Sequence, residues 1–134
     1  MKIIFISFIL TFIVFVSCNS AKRDHSSIYT RCKILRIDSL NNYYVIYAKT
    51  KDSTYKIISE KQVNAACKKI QTNKHYNLNL KSFKSLAPII NGVKMYFPDV
   101  DCYYFFEDTH ICLEKDKGIY DLHIAENING LCVD

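Results

Sequence analysis

The sequence predicts a mainly β body with one short helix, and three observations carry that prediction. Runs rich in β-branched and aromatic residues at 28–37, 43–49 and 54–59 are separated by turns of Asn, Asp and Ser. Residues 75–81 alternate strictly, with Tyr76, Leu78 and Leu80 set against His75, Asn77, Asn79 and Lys81, as in a half-buried strand. Between them Val63, Ala66, Cys67 and Ile70 fall at i, i+3, i+4 and i+7, the stripe of a short helix.

Residues 1–27 stand apart from that body. Lys2 precedes an apolar run from Ile3 to Val16 that only Ser7 and Thr11 interrupt. A membrane-spanning helix needs about 20 apolar residues, so this run is too short to cross a bilayer. With small and polar residues directly after it, it reads as a secretory signal peptide over residues 1–17. Phe15-Val16-Ser17-Cys18 resembles the lipobox of bacterial lipoproteins, with Phe15 in place of the usual Leu. The resemblance covers about 18 residues and implies acylation of Cys18, which becomes the mature N-terminus. Residues 18–27 then serve as lipid anchor and flexible tether, and residues 28–134 as a single β-rich domain. The tether lacks the acidic run that resembles a surface-export signal in lipoproteins of the Bacteroidota, which favours a periplasm-facing site over the cell surface. Asp38-Ser39-Leu40 and Asp52-Ser53-Thr54 are similar to the O-glycosylation acceptor motif of the same phylum.

A mature chain of about 117 residues suffices for one small core and excludes a multidomain enzyme. Glycine numbers only 3 and proline only 2, so turns fall to Asn41-Asn42 and Lys51-Asp52-Ser53. The first three strands read as a meander. Residues 43–49 are apolar on both faces and so predict a central strand. Ser59 with Gln62 fits a capping box opening the short helix. Residues 86–91 read as a connection because Pro88 bars a ladder position, and 93–97 as a short strand. Residues 102–106 and 110–114 flank the turn Glu107-Asp108-Thr109, a hairpin. Residues 118–124 suit strand or helix, residues 121–127 suit one helical turn equally, and Gly130 is the terminator. Three strands, a helix and further strands resemble the element order of the OB-fold, a small barrel, over roughly residues 28–114. An antiparallel β-sandwich and an α+β open sheet satisfy the same order.

Five cysteines remain beside Cys18, so at least one is unpaired. Cys102 and Cys112 flank the predicted hairpin and suit a cross-strand bridge. Cys67 with Cys132 would tie down the C-terminus, and Cys32, within an apolar strand, suits a buried free thiol.

No catalytic or metal-binding pattern emerges. His110, Cys112 and His123 are close in sequence, yet no HxH, CxxC or HExxH spacing supports a metal, and no cofactor motif is present. Positive charge is modest, with 18 Lys and Arg against 13 Asp and Glu, and it is spread along the chain, which argues against a nucleic-acid partner. Tyrosine is the distinctive residue. Tyr43, Tyr44, Tyr47, Tyr103 and Tyr104 are a candidate surface for a protein or glycan partner, with a Tyr-rich core as the competing explanation. These readings predict a membrane-anchored, non-enzymatic lipoprotein acting as a binding module. The competing expectations are a small exported hydrolase or thiol enzyme using His110, His123 and a free cysteine, and an inhibitor or immunity-type lipoprotein.

Overall fold

A long first strand, β1 (Ser27–Leu40), serves two neighbours. Its first half pairs with β4 (His75–Ser82), and its second half with β2 (Tyr43–Lys49). The change of partner coincides with a bulge, where the register slips between Ile34 and Arg36 and Leu35 is left unopposed. A bulge bends its strand and increases its twist, which is what closing a small barrel demands. The computed structural model describes residues 27–63, 66–95 and 100–134. The predicted signal peptide, Cys18 and the tether as far as Ser26 lie outside the described residues.

β2 pairs with β3 (Thr54–Glu60) antiparallel, and β3 pairs in parallel with β9 (Leu122–Ala125). β9 then returns antiparallel to β4, closing the barrel in the order β1-β2-β3-β9-β4. The fold is therefore the small OB-like barrel, and the sandwich and open-sheet alternatives are excluded by the closure. Alternate strand residues fill the interior: Cys32 and Ile34, Ile46 and Ala48, Ile57, Leu78 and Leu80, and Ala125.

The fifth barrel strand lies beyond the span 28–114 that the resemblance covered. Residues 118–124 suited strand or helix, and the strand prevails because Leu122 and Ala125 find cores on opposite faces. Gly130 (φ 62°) does not end a helix; it turns β10 (Ile128–Asn129) into β11 (Cys132–Val133).

The predicted helix is a further correction. Residues 61–63 and 66–70 are not helical, and Val63, the first residue of the stripe, is 90% exposed. Tertiary partners take the backbone groups a helix would have used. The Ile70 N–H donates to the Leu131 carbonyl at 2.8 Å, the Val133 N–H donates to the Lys68 carbonyl at 3.2 Å, and Cys67 is disulfide-bonded to Cys132. Ile70, Ile128, Leu131 and Val133 thereby pack against the barrel core and close one end of it. The helical turns among the described residues are 3-10 turns at Phe83–Leu86 and Lys115–Lys117.

The connection from β4 to β9 carries two hairpins. The first, β5 (Ile89–Ile90) with β6 (Val93–Lys94), forms where Pro88 had suggested an unpaired connection. Pro88 lies just outside the ladder, and its carbonyl accepts from the Met95 N–H at 3.0 Å. The second, β7 (Cys102–Phe105) with β8 (Thr109–Cys112), is stapled by Cys102–Cys112, residues directly opposite in register. This hairpin folds over the outer face of β2, β3 and β9. There Tyr43, Val45, Ile58, Leu122 and Ile111 form a second core, with Phe83, Tyr103, Phe105 and Leu113 packed on it. That is why both faces of β2 are apolar.

Candidate functional site

Side chains of β2 and β3 that point away from the barrel meet the second hairpin at its base. Lys56 stands between Tyr55 and Ile57 on β3 and is buried. Its Nζ donates to the Cys112 carbonyl and to Glu114 Oε1, both at 2.7 Å. Tyr47 Oη donates to the same Glu114 oxygen at 2.5 Å, and Lys117 Nζ donates to Glu114 Oε2 at 2.6 Å. Burial alone would raise the Glu114 pKa, but the bonds from Lys117, Lys56 and Tyr47 outweigh it and hold the carboxyl at about 2. Arg36 stacks on Tyr47 from β1, 4.1 Å from the ring centroid. At the hairpin's other end Asn41 Nδ2 donates to the buried Thr109 Oγ1 at 2.8 Å, and Asn42 Nδ2 to Glu107 Oε2 at 3.0 Å. The hairpin is therefore fixed at both ends. Barrels of this topology commonly use the face of strands 2 and 3 for ligands; in this chain the hairpin covers that face.

A rim of strand ends lies at the end of the barrel opposite the disulfide-bonded plug. β3 and β9 begin there and β4 ends there, which brings Tyr55, His123 and Ser82 to one rim. Ser82 lies directly across from His123, and the rings of Tyr55 and His123 meet edge to face at 5.1 Å. Asp121 Oδ2 accepts a hydrogen bond from Ser82 Oγ. The same Ser82 oxygen accepts the Lys84 N–H at 3.1 Å as the cap of the following 3-10 turn. Its proton and a lone pair are both committed, so Ser82 fixes Asp121 in place and has no free proton path to His123. Two polar atoms at this rim, Asp121 Oδ1 and His123 Nδ1, are sealed from solvent without a hydrogen-bond partner. Burial lowers the His123 pKa, Asp121 opposes that shift and Lys84 adds to it, so the imidazole is neutral at pH 7.

Asp121 and His123 line an open cleft of about 500 Å³ together with Tyr55, Tyr120, Lys49 and Lys51. A neighbouring groove of about 290 Å³ shares Thr54 and Lys117 with it and runs on to Arg36 and Tyr47. Buried polar groups in folded proteins are almost always paired, so the two orphans in the wall of this cleft make it the candidate site of the molecule.

The candidate residues read from sequence are scattered over this frame. Tyr43 is buried against Phe105, Tyr103 packs on Phe83, Tyr44 packs on the barrel core and Tyr47 is bonded to Glu114. Tyr104 alone of the five is exposed, with its ring against His110. The five tyrosines do not form one open surface, because the β7–β8 hairpin covers the face of β2 that carries Tyr43 and Tyr47, while Tyr44 turns to the barrel core. His110 sits on the outer side of that hairpin, His123 at the barrel rim, and Cys32 inside the barrel opposite Tyr76. Cys32 and Ser82 are separated by six residues along β4, or about 20 Å. Burial raises the Cys32 pKa, so a thiolate is disfavoured. Among the described residues no three His, Cys, Asp or Glu side chains converge as metal ligands.

Sequence reasoning missed Ser82, Asp121, Tyr55, Lys56 and Glu114. Ser82 and Asp121 are 39 residues apart, and only the β4–β9 pairing joins them. Lys56 did leave a signal, a cation flanked by Tyr55 and Ile57, which requires a partner when it is buried. Compared with protein-family models, with curated proteins and with solved structures, the chain has no match.

Proposed function

We propose that the chain is an exported lipoprotein, tethered through Cys18 and facing the periplasm, whose barrel is a non-enzymatic binding module for a hydroxyl-rich ligand such as a glycan. The observation that carries the binding site is the open cleft lined by Asp121, His123, Tyr55 and Tyr120, in whose wall Asp121 Oδ1 and His123 Nδ1 stand buried and unpartnered. A neutral imidazole and a carboxylate together need partners that can both donate and accept. Hydroxyl groups do both, and the Tyr55 and Tyr120 rings supply flat apolar surface for a sugar face. The lysines add a mild preference for acidic saccharides.

The anchor is supported by the lipobox-like Phe15-Val16-Ser17-Cys18 and by the polar residues that follow it. Labelling with a radioactive fatty acid tests it: label is expected in the native chain and absent in Cys18→Ala, and an unlabelled native chain refutes the anchor. The binding site is tested by titrating the protein with neutral and acidic oligosaccharides and following the His123 ring resonances. Saturable shifts that vanish in Asp121→Ala support the site; no shift with any saccharide refutes the glycan reading.

An inhibitor or immunity-type role is the second reading. It is favoured by the stapled hairpin, which holds Phe106 at its tip 85% exposed and Tyr104 beside it. A pull-down with a defined toxin or enzyme, lost in Phe106→Ala, distinguishes it. A thiol enzyme is disfavoured by the buried Cys32 and the separated histidines.

A further inference from the structure

The β5–β6 hairpin is the one apolar element that joins neither core among the described residues. Ile90 faces Val93 across a two-residue Asn91-Gly92 turn whose φ angles are 51° and 79°. Positive φ at both positions gives the tight turn that matches strand twist, so the sequence specifies this hairpin locally. Ile89, Ile90 and Val93 are 69%, 55% and 62% exposed, and Leu86 and Met95 at its base are exposed as well.

The distribution of these side chains identifies what covers them. Ile89 and Ile90 are consecutive in a strand and therefore point to opposite faces. A protein groove or a second sheet would cover one face and leave the other in water. Ile90 and Val93 share one face, and Ile89 shares the other with its cross-strand partner Lys94. Apolar groups on both faces with one cation among them suit a medium that surrounds the hairpin and offers anionic headgroups. Its position agrees: β1 begins at Ser27, directly opposite Lys81, and the hairpin starts eight residues after Lys81. Ile28 and Tyr29, the next residues of β1, are also exposed. From Cys18 to Ser27 the chain reaches at most about 30 Å, so a lipid on Cys18 keeps this edge of the domain near the bilayer. Lys84 is exposed near the hairpin base, a cation suited to anionic headgroups.

We propose that the β5–β6 hairpin inserts Ile89, Ile90 and Val93 into the interfacial region of an anionic lipid bilayer. The hairpin thereby acts as a second, non-covalent membrane contact that orients the barrel on its tether. This deepens the anchored reading above, resting on it for location but not for the contact itself.

Both cores and both disulfides lie within 27–134, so the unacylated chain from Asn19 to Asp134 carries the whole fold and separates the hairpin from the lipid. The protein contains no tryptophan, which makes Ile90→Trp a unique reporter and Phe106→Trp its control on the other exposed hairpin. With vesicles of phosphatidylethanolamine and phosphatidylglycerol, Ile90→Trp emission is expected to shift to the blue and to be quenched by brominated lipid, while Phe106→Trp changes little. Vesicle affinity of the chain should fall about tenfold or more in Ile89→Ser/Val93→Ser. Equal response of the two reporters, no response of Ile90→Trp at saturating lipid, or undiminished binding of the double variant would overturn the proposal. A blue shift that grows with protein concentration in the absence of vesicles would also overturn it, in favour of a second copy of the chain. Failure of the fatty-acid labelling, by contrast, removes the anchor and leaves this result standing.

Discussion

The two hairpins inserted between β4 and β9 are built from similar residues and have opposite fates. β7–β8 turns its apolar side chains onto the barrel, is stapled by Cys102–Cys112, and is held by Lys56 and Glu114 at one end and by Asn41 and Thr109 at the other. β5–β6 has a better local turn sequence, Asn91-Gly92, yet leaves Ile89, Ile90 and Val93 in the open. Local sequence therefore decides that a hairpin forms. Where it goes depends on whether the body offers it an apolar face and polar fastenings. β7–β8 has both: Lys56 and Tyr47 are paired with Glu114, and the buried Thr109 with Asn41.

The largest expected effect comes from breaking that fastening. Glu114→Gln leaves the Lys56 ammonium buried without a counter-charge, and urea unfolding should show a loss of about 3 kcal/mol. The same carboxylate gives the fold an acid limit. Its folded pKa of about 2 lies below the ordinary 4.5, so its stabilisation is complete above 4.5 and is lost as pH falls through 2. Stability measured across that window should fall more steeply in the native chain than in Glu114→Gln; parallel curves would contradict the role given to Glu114.

Removing the staple with Cys102→Ala/Cys112→Ala should cost about 2 to 3 kcal/mol, because the bridge closes a loop with a sequence separation of only 10. The hairpin should stay docked, so amide exchange at Ile111 would remain slow; fast exchange there would mean that the disulfide and not the packing holds it. Asn41→Ala removes the tip contact to buried Thr109 and is expected to cost about 1 kcal/mol by the same unfolding assay. Ile90→Ser/Val93→Ser, on the other hairpin, should leave unfolding within about 0.5 kcal/mol of the native chain. A larger loss would show that β5–β6 packs against the body after all.

Much of the barrel was legible because its signals are local. Period-2 alternation at residues 75–81 places Leu78 and Leu80 inside wherever the strand docks, and the doubly apolar 43–49 announced a strand covered on both sides. The pairing Cys102–Cys112 followed from a predicted hairpin, whereas Cys67–Cys132 spans 65 residues and was one arrangement among the 15 that five cysteines allow. The helix misled because Val63, Ala66, Cys67 and Ile70 have the right spacing, while the groups that satisfy their backbone, Leu131 and Val133, come from the other end of the chain. The tyrosines misled for a related reason. An outward Tyr43 or Tyr47 looks like open surface until the β7–β8 hairpin is laid over it.

By itself the sequence determined a mainly β body, four of the five barrel strands, the turns after β1, β2 and β7, and the Cys102–Cys112 bridge. Each of these depends on side-chain periodicity or on residues joined by a short closure. Tertiary structure alone decided the fifth strand at Leu122–Ala125, the covering of the β2–β3 face, and the meeting of Ser82, Asp121 and His123 at the barrel rim. These depend on which distant segments share a hydrogen-bond ladder. No spacing along the chain encodes that, because the free energy that selects the partner comes from burial and closure of the whole barrel.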